Sequence, residues 1–259
     1  MLYRTLLAFL FLCIVAPQAL ADAMPCPSRK FTPVSSPERF VYRNAYGQTI
    51  RLAGIGLSDT KIGDRFAGLA RTADARMQRF MNDGPWTLAY ITGKPNRLGE
   101  CLAYAKTASG VWIQKNMLEA GMAYVITTPS DQYTAVLLRQ EGAARERLAG
   151  LWRAKEVIVR DARTVREPRH VNSYQIVEGR IHYTRDEGRY KYACLSNDPW
   201  QSVCFLVLNT AYAALKKQGI DLLKLAEHQA VQVRGQLMFR EGLKIYVRNP
   251  VDVQLVSAY

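Results

Sequence analysis

Histidine is scarce in this chain: His170, His182 and His228 are the only three in 259 residues, and none stands at metal-ligand spacing. No Cys-x-x-Cys occurs, so the sequence offers neither a zinc ribbon nor a thioredoxin-type redox pair. A Gly-rich phosphate loop and a Gly-x-Ser-x-Gly elbow are both missing, which removes P-loop hydrolysis and the α/β-hydrolase nucleophile. Past the N-terminus no run is apolar enough to cross a bilayer. Acidic residues are also few, 22 against 35 Lys and Arg, giving a formal net charge of +13. That excess favours polyanionic partners such as nucleic acid, anionic lipid or acidic polysaccharide, although a merely basic, soluble protein would carry it too.

What is present begins with an export signal. Arg4 precedes an apolar run over 6–15, and small residues follow at Ala19-Leu20-Ala21-Asp22-Ala23. This layout predicts a signal peptide over 1–23, cleaved after Ala21 or Ala23, and a secreted or periplasmic protein. The run is shorter than the roughly 20 residues a spanning helix needs, so no transmembrane segment remains after cleavage. Removal takes away Arg4 and Asp22 together and leaves the net charge unchanged. Cys13 goes with the signal, leaving Cys26, Cys101, Cys194 and Cys204, an even number for an oxidising compartment. Cys194 and Cys204 flank a turn-rich stretch between two strand-like runs, so the expected pairs are Cys194–Cys204 and Cys26–Cys101, with buried free thiols as the alternative.

About 235 residues remain, enough for two small domains. The expected order is an N-terminal segment at 24–39, a first domain at 40–154, a basic linker at 155–172 and a second domain at 173–259. Arg160, Arg163, Arg166 and Arg169 recur at every third position of the linker, which also holds Pro168. With no apolar stripe evident there, it reads as an exposed connector or a phosphate track. In the first domain, strands are expected at 40–42, 49–52 and 87–91, with a hairpin at Tyr46-Gly47. Three helices follow from the stripes Leu69/Ala73/Met77/Phe80, Ile113/Met117/Leu118/Ala120 and Leu137/Leu138/Ala144/Leu148/Leu151. The second domain alternates at Val177, Gly179, Ile181 and Tyr183, then at Tyr190, Tyr192 and Cys194. A helix over 209–227, interrupted near Gly219, precedes two more alternating runs at 231–239 and 243–247. Strand, strand, strand, helix, strand, strand is the order of an OB barrel. The whole is therefore mainly β with α (α+β).

Three motifs carry a family resemblance. Ile50-Arg51-Leu52-Ala53-Gly54-Ile55, Gly99-Glu100-Cys101-Leu102-Ala103-Tyr104 and Gly150-Leu151-Trp152 together resemble the staphylococcal-nuclease (thermonuclease) family. The resemblance implies an OB barrel with three helices over the first domain. It also implies calcium-assisted phosphodiester hydrolysis, with carboxylates on the ion, a glutamate activating water and two arginines at the phosphate. The segments at 178–181 and 231–235 also look like the OB-type module that follows the nuclease domain in some secreted relatives.

The site motifs depart from that pattern. Arg51 falls on the first family arginine, and Asp59 on the glutamate, one methylene shorter. Gly56 stands where an aspartate would hold the metal, and Glu100 where the second arginine would meet the phosphate. Arg97 lies in the same turn as Glu100, and Glu38 is a loose stand-in for an upstream acidic motif. Losing one such oxyanion donor costs about 10²–10³ in rate, and here a ligand and a cation fail together. The site is read as disabled, with no metal or cofactor unless a calcium centre has been rebuilt around Asp59, Glu38 or Glu100.

Binding without cleavage is the remaining function. Tyr183, Tyr190, Tyr192, Trp200 and Tyr246 interleave with Arg180, Arg185, Arg189, Lys191, Arg234, Lys244 and Arg248, as in barrels that stack single-stranded bases. Alternation assigns Tyr183 to the core. The expected partner is single-stranded nucleic acid or another polyanion, contacted by Arg97, Arg180, Arg189, Tyr190, Lys191, Tyr192, Arg234 and Lys244. A protein partner, in a cell-envelope interaction module, is the alternative.

Overall fold

Two runs of alternating apolar residues build two sheets, each curled by the way its chain is connected. The computed structural model describes residues 25–57, 63–128, 131–154, 158–165, 170–195, 203–225 and 227–256. The signal segment, Asp59, Arg166, Pro168, Arg169 and Trp200 lie outside them. The first half contains β1 (Lys30–Phe31), β2 (Ser35–Glu38), β3 (Val41–Arg43), β4 (Thr49–Leu52), β5 (Ile55–Gly56), α1 (Gly63–Asn82), β6 (Trp86–Tyr90), β7 (Glu100–Lys106), α2 (Ile113–Glu119), β8 (Tyr124–Val125) and α3 (Thr134–Glu146). The second contains β9 (Val159–Asp161), β10 (Ser173–Arg180), β11 (Tyr183–Asp186), β12 (Tyr190–Cys194), β13 (Val203–Leu208), α4 (Asn209–Lys217), β14 (Ala230–Phe239), β15 (Leu243–Val247) and β16 (Val253–Leu255).

The first sheet runs β1-β6-β7-β4-β3-β2. Its two edges, β1 and β2, are consecutive in the chain and separated by only residues 32–34. Six flat strands would put those edges about 24 Å apart, whereas the link reaches roughly 14 Å, so the sheet must curl. The second sheet keeps this core order and extends it, as β11-β12-β13-β15-β14-β10-β9 with β16 paired to β14, and β10 leads into β11 through Ile181 and His182. In the first sheet the long first strand is split between the two edges, whereas in the second β9 covers β10. The third and fifth strands pair in parallel, β4 with β7 and β13 with β15. A helix, α1 or α4, lies between the third and fourth strands. The mixed α+β fold expected from the sequence is observed.

Each barrel has its own core. Ile50, Leu52, Trp86, Ala103, Met117 and Leu137 anchor the first; Val177, Phe205, Val233, Leu237 and Ile245 anchor the second. Disulfides Cys26–Cys101 and Cys194–Cys204 join β7 to the lead-in before β1, and β12 to β13. Gly121 ends α2 at φ +63, and a Cβ there would lie 2.1 Å from the Ala149 carbonyl oxygen, so two backbones meet where no side chain fits. That contact seats the 3-10 turn Gly150–Ala154 and drives Trp152 into a third cluster with Tyr124, Ala144, Leu151, Ile158, Val159 and Ile176. This cluster joins the two halves.

Three expected segments behave differently from the sequence reading. Residues 24–39 are not a separate lead-in over their described length, because β1 and β2 belong to the first sheet and Phe31 is buried. The described part of 155–172 is not an exposed connector either. Val159–Asp161 pairs in parallel with β10, and Ile158, Val159, Ala162, Val165 and His170 are buried. The periodic arginines hid an apolar edge strand. The helix expected over 209–227 stops at Lys217, with Gly219 at φ +83, before a short 3-10 turn at Leu222–Lys224. Among the described residues no helix is long and apolar enough to cross a membrane.

Candidate functional site

Arg51 projects from β4 beside the start of β7, because the parallel pairing sets Arg51 opposite Leu102, two residues beyond Glu100. Glu100 closes on it in a bidentate pair: Nε donates to Oε2 and Nη2 to Oε1, both at 2.8 Å. From β2, Glu38 accepts from Nη1 at 3.4 Å and Nη2 at 3.2 Å. Asn96 holds Glu100 from behind. Its Nδ2 donates to Oε2 at 3.0 Å, while its Oδ1 accepts from the backbone N–H groups of Leu98 and Glu100. Glu100 is buried, and desolvation pushes its carboxyl up. Hydrogen bonds from Arg51 and Asn96 and the Arg51 charge outweigh that and hold it below the usual range. The Glu100 hydrogen bond in turn raises Arg51 above its ordinary value. Arg51 and Glu100 are therefore both ionised at neutral pH.

Gly56 sits in the short β5–β8 pair, opposite Tyr124. A Cβ there would lie 2.6 Å from Ile126 Cδ1 and 3.1 Å from Tyr124 Cε2. An apolar wall occupies the space an aspartate would need. The three-strand approach of β2, β4 and β7, with β5 leaving toward α1, is the geometry in which the sequence motifs converge, and the comparison with known families decides what it is. Residues 49–154 match the family model described as Staphylococcal nuclease homologue. The chain carries a staphylococcal nuclease homologue domain. No curated protein matches the chain.

The nuclease-homologue domain can be tested for the calcium its family resemblance implies. Calcium takes six to eight oxygen ligands. Gly56 supplies none, the wall behind it is Ile126 and Tyr124, and both Glu38 and Glu100 are spent on Arg51. The described residues do not fit the ion. Asp59 lies outside them. Arg97 is exposed in the turn that carries Asn96. Sequence reasoning passed over Asn96, whose signal was its place four residues before Glu100, the reach of an Asx-type turn.

Beyond the matched segment, the register of the second barrel gathers a tyrosine face. Tyr183 pairs with Cys194 and Arg185 with Tyr192, while Tyr192 pairs with Leu206 and Leu206 with Tyr246. Opposed residues share a face, so Tyr183, Tyr190, Tyr192 and Tyr246 surround the Cys194–Cys204 disulfide. Arg185 lies over the Tyr192 ring at 5.8 Å and Arg189 over Tyr190 at 5.7 Å. Lys244 pairs beside Cys204. Tyr183 is thus not in the core: the bend at Ile181 and His182 resets the alternation.

Three residues expected at a nucleic-acid surface lie elsewhere. Arg234 is fully buried against the other half, its Nη2 2.9 Å from Glu141 Oε1. Lys191 turns away from the tyrosines toward Tyr212, and its Nζ donates to Asp186 at 2.7 Å. Arg180 lines a cleft beside His182 and donates to the His228 carbonyl at 3.1 Å. The histidines, scattered in sequence, are not scattered in space: the His182 and His228 rings lie 5.3 Å apart.

Proposed function

We propose that this is an exported protein that binds single-stranded nucleic acid on the tyrosine face of its second barrel and does not cleave it. The observation that carries the binding is Arg189 lying over the half-buried Tyr190, on a sheet face shared with the half-buried Tyr183 and Tyr246 and floored by the buried Tyr192 under Arg185. Planar side chains flanked by cations are what stacked bases and their phosphates require, and the face of strands two and three is where OB barrels take oligonucleotides. The net charge of +13 and the nuclease-homologue domain agree with that partner. Loss of cleavage rests on Arg51, whose donors are taken by Glu100 and Glu38, and on the wall behind Gly56. Export rests on the layout of residues 1–23 and on two disulfides, which persist in oxidising compartments. The proposed domains are a nuclease-like barrel and an OB-like barrel, meeting near residue 155.

The test incubates the oxidised mature protein with labelled single-stranded DNA and RNA, with calcium and with chelator. Binding that weakens steeply with salt and leaves the strands intact is expected. Replacing Tyr190 and Arg189 by Ala should weaken it by roughly 1–3 kcal/mol per base no longer stacked. Calcium-dependent cutting that disappears in an Arg51→Ala, Asp59→Ala variant would overturn the inactive site. Neither binding nor cutting would reject the nucleic-acid partner in favour of a protein one.

A further inference from the structure

The second barrel holds a cluster that the nucleic-acid face does not use. It lies where the split first strand turns from β10 into β11, across from the segment that enters β14. Backbone hydrogen bonds pin both sides: Ile181 N–H donates to the Gln229 carbonyl at 3.0 Å and His228 N–H to the Ile181 carbonyl at 2.6 Å. His182 N–H donates to the Cys194 carbonyl at 2.9 Å. His228 is held at φ +67, a left-handed conformation that a non-glycine residue adopts only where its surroundings fix it.

These constraints bring three ligating side chains together from two separate segments. The imidazoles of His182 and His228 meet at 88°, and Glu227 Oε1 lies 3.8 Å from His228 Nε2. One ligand atom from each of His182, Glu227 and His228 lies within 4.8 Å of the others. His182 Nδ1 is buried and has no hydrogen-bond partner among the described residues. A buried ring nitrogen without a partner costs free energy. His182 also lines a cleft of about 830 Å³, with Asp161, Arg163, Glu178 and Arg180 on its walls.

We propose that His182, His228 and Glu227 bind one divalent transition-metal ion of the zinc class, beside the cleft that His182 lines. Two imidazoles and one carboxylate suit such borderline ions, whereas calcium and magnesium require oxygen donors throughout. The exposed Glu227 and His228 side chains supply the small rotations needed to close the set around an ion. Arg180 is the neighbouring cation the site must tolerate, and the Glu227 carboxylate offsets it.

The experiment uses the untagged, oxidised mature protein, stripped with chelator and dialysed. It is titrated with zinc chloride by calorimetry and with cobalt(II) by absorption spectroscopy. One equivalent is expected to bind, and cobalt should develop the visible bands of a low-coordinate nitrogen–oxygen site. His182→Ala and His228→Asn should each weaken zinc binding by about 10-fold or more, and Glu227→Gln by less. Asparagine is chosen at 228 because it tolerates the left-handed backbone. Circular dichroism and thiol counting confirm that each variant keeps its fold and both disulfides. Absence of zinc binding to the parent, or equal binding by the His182→Ala, His228→Asn double variant, would overturn the site.

Discussion

Burial works against the charge of Asp252, which sits between the two barrels. Desolvation pushes its carboxyl from the ordinary 3.8 up to about 6, against hydrogen bonds from Thr127 and from the Asn249 and Arg248 backbone and the charge of Arg234. The folded state therefore holds this proton to a higher pH than the unfolded chain. Its contribution is fully present below the unfolded value, shrinks as pH rises from 3.8 toward 6, and is level above that. Glu100 behaves oppositely: its folded value is depressed, so its stabilisation exists above the ordinary carboxylate range and is lost as pH falls. Urea midpoints of the parent and of Asp252→Asn should therefore draw together, or cross, between about pH 4 and about pH 7. A gap that stays constant across that window would mean the Asp252 carboxyl is not protonated in the fold.

At the level of elements, the β5–β8 pair shows why the old metal position cannot be restored by one change. Gly56→Asp would press a side chain into Ile126 and bury a carboxylate beside apolar atoms. Overpacking alone costs about 1–3 kcal/mol, and the unpaired charge adds to it. The variant should unfold at clearly lower denaturant than the parent and gain no calcium-dependent stabilisation in the same titration. A calcium-induced rise in its midpoint would contradict this. Strands whose one face alternates cleanly were legible in the sequence, as at Val231, Val233, Gly235 and Leu237, whereas β7, buried along most of its length, was not. Val159–Asp161 was not, since three residues between arginines carry too little pattern to reveal a partner strand. At the candidate site, the substitutions at 56 and 100 were readable from motif spacing. That Glu100 would seize Arg51 rather than only repel phosphate depended on the register of β4 and β7. His182 and His228 stand 46 positions apart in the chain, and only the antiparallel register of β10 with β14, continued past Arg180 and Ala230, makes them neighbours.

For the molecule as a whole, the two halves are held in one arrangement by a buried charge cluster. Arg234 from β14 and Arg145 from α3 both reach Glu141, at 2.9 and 2.7 Å, and the Val125 N–H donates to the same carboxylate at 2.5 Å. Arg145 also lies 4.2 Å above the Trp152 ring, and Tyr174 stacks on Tyr124. Burial raises the Glu141 carboxyl, but the two arginines and their hydrogen bonds prevail and keep it ionised. Glu141→Leu leaves the buried Arg234 and the half-buried Arg145 without their carboxylate and should destabilise the protein by roughly 3–5 kcal/mol. Adding Arg234→Met should recover most of that loss, as measured by a double-mutant cycle in urea. Independent, additive effects would show that the pair does not couple the halves. The sequence could not foresee this role, because Arg234 alternates outward on its strand and nothing local tells what covers an outward face.

The Cys26–Cys101 bond ties the start of the described chain to the residue beside Glu100. Just ahead of Cys26, the Pro25 carbonyl accepts from Gln48 Nε2 at 3.2 Å. A protease nick anywhere between the two cysteines would release no fragment until the bridge was reduced.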